Sequence, residues 1–126
     1  VDIVYFPTLK DCTDFLDAVP GGVNSYATTV HSDRSVSVYD ANFCVDGTLS
    51  TGGGVALWFD NEGDGLSTAA EEYCPVHIFV PMRGIVESLN LSVCVGILCT
   101  EVTRQRLRTA GASGGAAPAS DWAWAL

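Results

Sequence analysis

The chain has 126 residues, enough for one domain that buries a core without crosslinks or metals. Fifteen acidic against six basic residues give a formal net charge of −9, which argues against nucleic acid or an anionic membrane as partner, since both ask for a basic footprint. Apolar residues make up 48% and charged residues 17%, a balance that points to apolar surface buried between molecules, and no run approaches the ~18 apolar residues of a membrane span.

The chain opens at Val1, which fits a mature form whose signal peptide has been removed. Val1 to Phe6 reads as a first strand. Thr8 then caps a helix, with Asp11 near its positive end and Leu9, Cys12, Leu16 and Val19 on one face. Pro20-Gly21-Gly22 stops it. Ser25 to Val30 and Ser35 to Tyr39 read as a hairpin around His31-Ser32-Asp33-Arg34. Asp46-Gly47 is a turn pair between two further short strands. Val55 to Phe59 is an apolar strand, Thr68 to Tyr73 a short helix ended by Cys74-Pro75, and Val76 to Val80 another strand. Leu89 to Thr100, apolar and rich in β-branched residues, is expected to be a buried strand or two. Thr109 to Ser120 has the Ala, Gly, Ser and Pro composition of a linker and leads to Asp121-Trp122-Ala123-Trp124-Ala125-Leu126.

The sharpest motif lies between the strand at Val55 and the helix at Thr68. Asp60, Glu62 and Asp64 alternate, Gly65 follows, and Glu71 stands at the twelfth place. That is EF-hand loop spacing, in which Leu66 would add a carbonyl and Glu71 a bidentate carboxylate to a calcium ion. The loop has no second copy and no entering helix. The alternative is a solvated turn before a capping box, Thr68-Ala69-Ala70-Glu71.

Five cysteines, Cys12, Cys44, Cys74, Cys94 and Cys99, predict an oxidising compartment with two disulfides and one cysteine left over. In a reducing compartment Cys74, His77, Cys94 and Cys99 would instead be zinc candidates. Asn90-Leu91-Ser92 is a glycosylation sequon. His31, Asp33 and Arg34 share one turn and could serve acid–base chemistry. Arg104, Arg106 and Arg108 would share one face of a strand, as a basic stripe toward an acidic surface or as edge protection.

These features together predict an α+β fold of mostly antiparallel strands with two short helices. It would be a disulfide-stabilised single domain over residues 1–108, with an extended tail over 109–126 whose Trp122, Trp124 and Leu126 form an anchor. The function they predict is that of a secreted, extracellular, non-enzymatic structural protein that self-associates into an oligomer or fibre, with calcium as its metal. A secreted toxin or effector is the alternative, and a small secreted hydrolase or nuclease using His31 a third.

Overall fold

The computed structural model describes residues 2–29, 32–44, 54–60, 65–83 and 89–112, with side chains up to 109. The elements in chain order are α1 (Leu9–Asp17), β1 (Val23–Thr28), β2 (Ser35–Ser37), β3 (Gly54–Trp58), α2 (Thr68–Tyr73), β4 (Val76–Phe79) and α3 (Leu91–Ala112).

Local chemistry accounts for the first helices. Thr8 is the N-cap of α1: its hydroxyl oxygen accepts from the Asp11 N–H at 3.2 Å and donates to Asp11 Oδ2 at 2.7 Å. An exposed Lys10–Asp14 pair one turn apart, at 2.6 Å, is screened by solvent and contributes little. Gly21 and Gly22, at φ 87° and 77°, turn the chain toward β1 in a conformation that favours glycine. Residues 2–6 carry no regular structure and pair with no strand among the described residues, so the expected first strand is absent there.

The four strands form one sheet in the order β2-β4-β1-β3, and every pairing is parallel. The expected antiparallel α+β arrangement is thereby overturned. The hairpin reading of residues 25–39 assumed that consecutive strands pair. Instead β4, the last strand in sequence, fills the slot between β1 and β2. Parallel neighbours are held by non-local contacts, for which no turn signature exists in the sequence. The Asp46-Gly47 turn lies outside the described residues.

The register divides the sheet into two faces. Tyr26 stands beside Leu57, and Thr28 beside Ile78 and Val36, so these side chains share one face. Against it lies α3, through Cys94, Leu98 and Val102 at four-residue intervals, with Val38, Ala41 and Phe43 completing the core. The opposite face carries Ser25, Ala27, Trp58 and His77. There the rings of Trp58 and Tyr73 lie 5.5 Å apart, and Tyr73 donates to Asp17 Oδ1 at 2.7 Å, which links α2 to α1.

Two further expectations fall here. All five cysteines are free, so the disulfide framework is withdrawn. Cys12 and Cys74 belong to α1 and α2 on one side of the sheet, and Cys94 and Cys99 to α3 on the other. Leu89 to Thr100 is helix from Leu91 onward, and α3 continues to Ala112 through the start of the expected linker. Its β-branched residues have low intrinsic helix propensity, but burying an apolar stripe on the sheet outweighs tenths of a kcal/mol per residue.

Candidate functional site

In open parallel sheets, ligands bind in the crevice outside the carboxyl ends of the strands, where neighbouring connections leave in opposite directions. β1 and β4 meet that condition. Ser32, ahead of β2, lies against His77 on one face, whereas α3, which follows β4, packs on the other.

Three strand ends are tied together at that edge. The Thr28 hydroxyl donates to the Trp58 carbonyl at 2.8 Å, joining β1 to β3. The Thr29 N–H donates to the Ile78 carbonyl at 3.0 Å, joining β1 to β4. Beyond the ties lie half-buried Phe59, exposed Asp60, and half-buried Val80 and Met82. Gly65, at φ 78°, returns the chain toward Asp60: a Cβ there would stand 4.0 Å from Asp60 Oδ2.

α3 begins shortly after β4, and Cys94 in its first turns packs against the core cluster that Phe59 and Val80 also touch. Asn90 behaves as the N-cap of α3. Its side-chain oxygen accepts from the Ser92 N–H at 2.9 Å and the Ser92 hydroxyl at 2.6 Å, while its carbonyl accepts from Cys94 at 3.0 Å. Burial, reinforced by the nearby Asp60 carboxylate, raises the Cys94 pKa. The arrangement offers a rim of backbone carbonyl and amide groups, an apolar lining and one carboxylate at the mouth, suited to a polar ligand with an aromatic or aliphatic portion.

The expected calcium loop is not assembled. Asp60 and Glu71 are described, but Glu62 and Asp64 lie outside the described residues, and no group of three or more His, Cys, Asp or Glu gathers to hold a metal among those described. Glu71 sits in the first turn of α2 and Leu66 is half-buried just before it. The cap of α2 is Ser67, whose hydroxyl accepts from the Ala70 N–H at 3.3 Å, so the helix starts one residue earlier than the capping box around Thr68 implied. The EF-hand match was one of spacing along the chain, whereas calcium needs oxygens converging in space.

The arginine stripe is also redistributed. On a helix Arg104 and Arg108 share a face and Arg106 points elsewhere. Arg104 grips Glu101 in a fork, Nε to Oε2 at 2.7 Å and Nη2 to Oε1 at 2.6 Å. The Arg104 hydrogen bonds, outweighing burial and helped by Gln105, lower the Glu101 pKa to about 2. Gln105 donates to Glu101 and to the Ala41 carbonyl, and accepts from the Phe43 N–H at 3.0 Å, locking residues 41–43 onto α3. Sequence reasoning missed Thr28, Thr29 and Gln105, and read His77 only as a zinc candidate beside Cys74, Cys94 and Cys99. It read Asn90 only as a sequon, although Asn before an apolar run at four-residue spacing is also a helix-start signal. His31 and the anchor Trp122, Trp124 and Leu126 lie outside the described residues.

Comparison with known proteins fits this architecture. Residues 1–100 match the model of the SpoU rRNA methylase family. The 23S rRNA (guanosine-2'-O-)-methyltransferase RlmB of Pasteurella multocida (strain Pm70) is 46% identical over 55 residues, 44% of this chain and 22% of that protein. RlmB of Xylella fastidiosa (strain Temecula1 / ATCC 700964) is 47% identical over 58 residues, 46% of this chain and 23% of that protein. The crystal structure of the SpoU methyltransferase AviRb from Streptomyces viridochromogenes in complex with AdoMet superposes with a TM-score of 0.65 at 27% identity, over 81% of this chain and 38% of that one. The chain thus spans less than a quarter of the length of the curated relatives it matches.

These findings overturn the expected secreted, non-enzymatic, self-associating structural protein with calcium, and with it the toxin and secreted-hydrolase alternatives. Secretion rested on paired cysteines, and all five are free. The exclusion of nucleic acid rested on net charge, a whole-chain sum that says nothing about where the few arginines stand. With 100 of its residues matched by one family model, the chain belongs to the SpoU rRNA methylase family.

Proposed function

We propose that this chain contributes the methyl-donor pocket of an RNA 2′-O-ribose methyltransferase that uses AdoMet. The observation that carries the reading is the crevice where the ends of β1, β3 and β4 meet the start of α3, in a fold shared with an AdoMet-bound SpoU enzyme.

The residues present fit such a donor. Half-buried Phe59, Val80 and Met82 suit an adenine ring. The exposed Asp60 carboxylate suits ribose hydroxyls, since an ionised carboxylate only accepts hydrogen bonds. AdoMet would supply an electrophilic methyl group, which passes to an RNA 2′-hydroxyl oxygen as that hydroxyl loses its proton. The chain's own part is to hold and orient. The Thr28 and Thr29 ties fix the spacing of the strand ends, and the Asn90 cap fixes the first turn of α3 beside Asp60. Rigid placement of this kind lowers the entropic cost of bringing reactants together.

The relatives named RlmB make 23S ribosomal RNA the substrate to test, in the compartment that holds ribosomes. Calorimetric titration with S-adenosylhomocysteine should show one saturable site, weakened by Asp60→Ala. Incubation with labelled AdoMet and 23S rRNA should leave a methyl group that makes one linkage resistant to alkaline cleavage. A chain that binds neither AdoMet nor S-adenosylhomocysteine would overturn the proposal.

A further inference from the structure

His77 sits in the middle of β4 and is 3% exposed. Buried imidazoles are uncommon without a partner, and this one has two. Nδ1 is 3.0 Å from the Ser32 hydroxyl and Nε2 is 3.0 Å from the Glu71 carbonyl. A carbonyl only accepts, so Nε2 carries the hydrogen there. In the neutral ring Nδ1 is then left to accept from Ser32. The Ser32 oxygen accepts in turn from the Arg34 N–H at 3.2 Å.

The place of this ring in the topology gives it its interest. β4 lies between β1 and β2, and Ser32, just before β2, stands against His77 of β4. Thr28 stands beside Ile78 and Ser35 beside His77, so β2 begins at the height where β1 ends. Residues 32–35, turned by the Ser35 N–H to Ser32 carbonyl bond at 2.9 Å, form a small arch over β4. The arch is closed at its foot, where the Ser35 hydroxyl donates to the Thr29 carbonyl at 3.0 Å. Its Ser32 rests on His77, and the other side of the same ring holds α2. An apolar side chain at position 77 would fill the space beneath the arch. It would not fix where along β4 the arch sits, because apolar contact has no direction.

We infer that His77 is a positioning residue for methyl-donor binding: it pins the Ser32–Ser35 arch over β4 and, through the bond from Ser35 to Thr29, sets the β1 wall of the crevice. The inference rests on the proposed donor site. It reaches that site through Thr29, which both accepts from Ser35 at the foot of the arch and forms the tie to Ile78.

Ser32→Ala tests it while leaving the buried ring in place, and Ser32→Thr restores a hydroxyl. Three quantities are measured on the full chain: affinity for S-adenosylhomocysteine by calorimetry, hydrogen exchange at the Thr29 and Ser35 amides, and melting temperature. Ser32→Ala should bind about tenfold more weakly, the size expected for one lost hydrogen bond. The Thr29 and Ser35 amides should exchange faster, the melting temperature should move by no more than a few degrees, and Ser32→Thr should recover the affinity. Wild-type affinity in Ser32→Ala overturns the inference and leaves the donor site standing. Weaker binding with unchanged exchange at the arch also overturns it, because the effect would then travel by another route. If the wild-type chain itself fails to bind, the donor site and the inference fall together.

Discussion

The two faces of the sheet are held by different physics. The α3 face is apolar: Tyr26, Val38, Phe43, Ile78 and Leu98 are all buried there, and the Tyr26 and Phe43 rings lie 4.7 Å apart. The α1/α2 face buries smaller groups, Ala27, Ala70 and Cys74 with the Trp58–Tyr73 ring pair, and adds directed bonds, His77 to Ser32 and to Glu71, and Tyr73 to Asp17. Burial of area is large and non-directional, whereas a hydrogen bond is small in net energy but fixes a geometry. Stability should therefore concentrate on the α3 face, and the placement of connections around β4 on the other.

The largest effect should come from Leu98→Ala. Leu98 is 1% exposed at the centre of the core cluster, and its loss leaves a cavity against the sheet. We expect a cost of about 3 kcal/mol, measured as a shift of the urea midpoint. A cost below about 1 kcal/mol would show that α3 does not dominate the stability and would erase the contrast between the faces.

Next comes Glu101→Gln, which weakens the fork with Arg104 and the link to Gln105. Loss of charge-assisted bonds predicts about 2 kcal/mol near neutral pH. The folded carboxyl titrates near 2 against an ordinary 4.5. Its contribution is therefore full above pH 4.5 and is lost as the pH falls from there through 2. The gap in melting temperature between wild type and variant should shrink across that window. A gap that holds constant would assign the cost to packing.

The smallest effect belongs to the other face. Tyr73→Phe removes the bond to Asp17, which is exposed, and should cost about 0.5 kcal/mol in the same denaturant assay. Burial, with the Asp17 bond, pushes the Tyr73 pKa up to about 12 from 10.0. That contribution is present below pH 10.0 and lost as the pH rises through 12. A cost equal to that of Leu98→Ala would invert the comparison.

The same contrast explains what was legible beforehand. Thr8 as a cap, the glycine stop after α1, and the spans of α2 and β4 depend on neighbours a few residues apart, and sequence reasoning placed them closely. It failed where contacts join distant segments. Ser32 and His77 are 45 residues apart in the chain, and only the insertion of β4 between β1 and β2 brings them together. The candidate site was half visible: Asp60 and Gly65 stood out, but as metal ligation, because spacing alone does not show which oxygens converge.

What the sequence determined by itself was therefore local: capping, turn conformation, and which short segments form helix or strand. The tertiary structure decided the parallel strand order, the helical state of residues 91–112 and the meeting of strand ends at the crevice. Leu89 to Thr100 reads as strand because its β-branched residues prefer extended backbone by tenths of a kcal/mol each. From Leu91 it becomes helix because only at four-residue spacing do Cys94, Leu98 and Val102 reach the sheet together, and the apolar area buried that way outweighs the local preference.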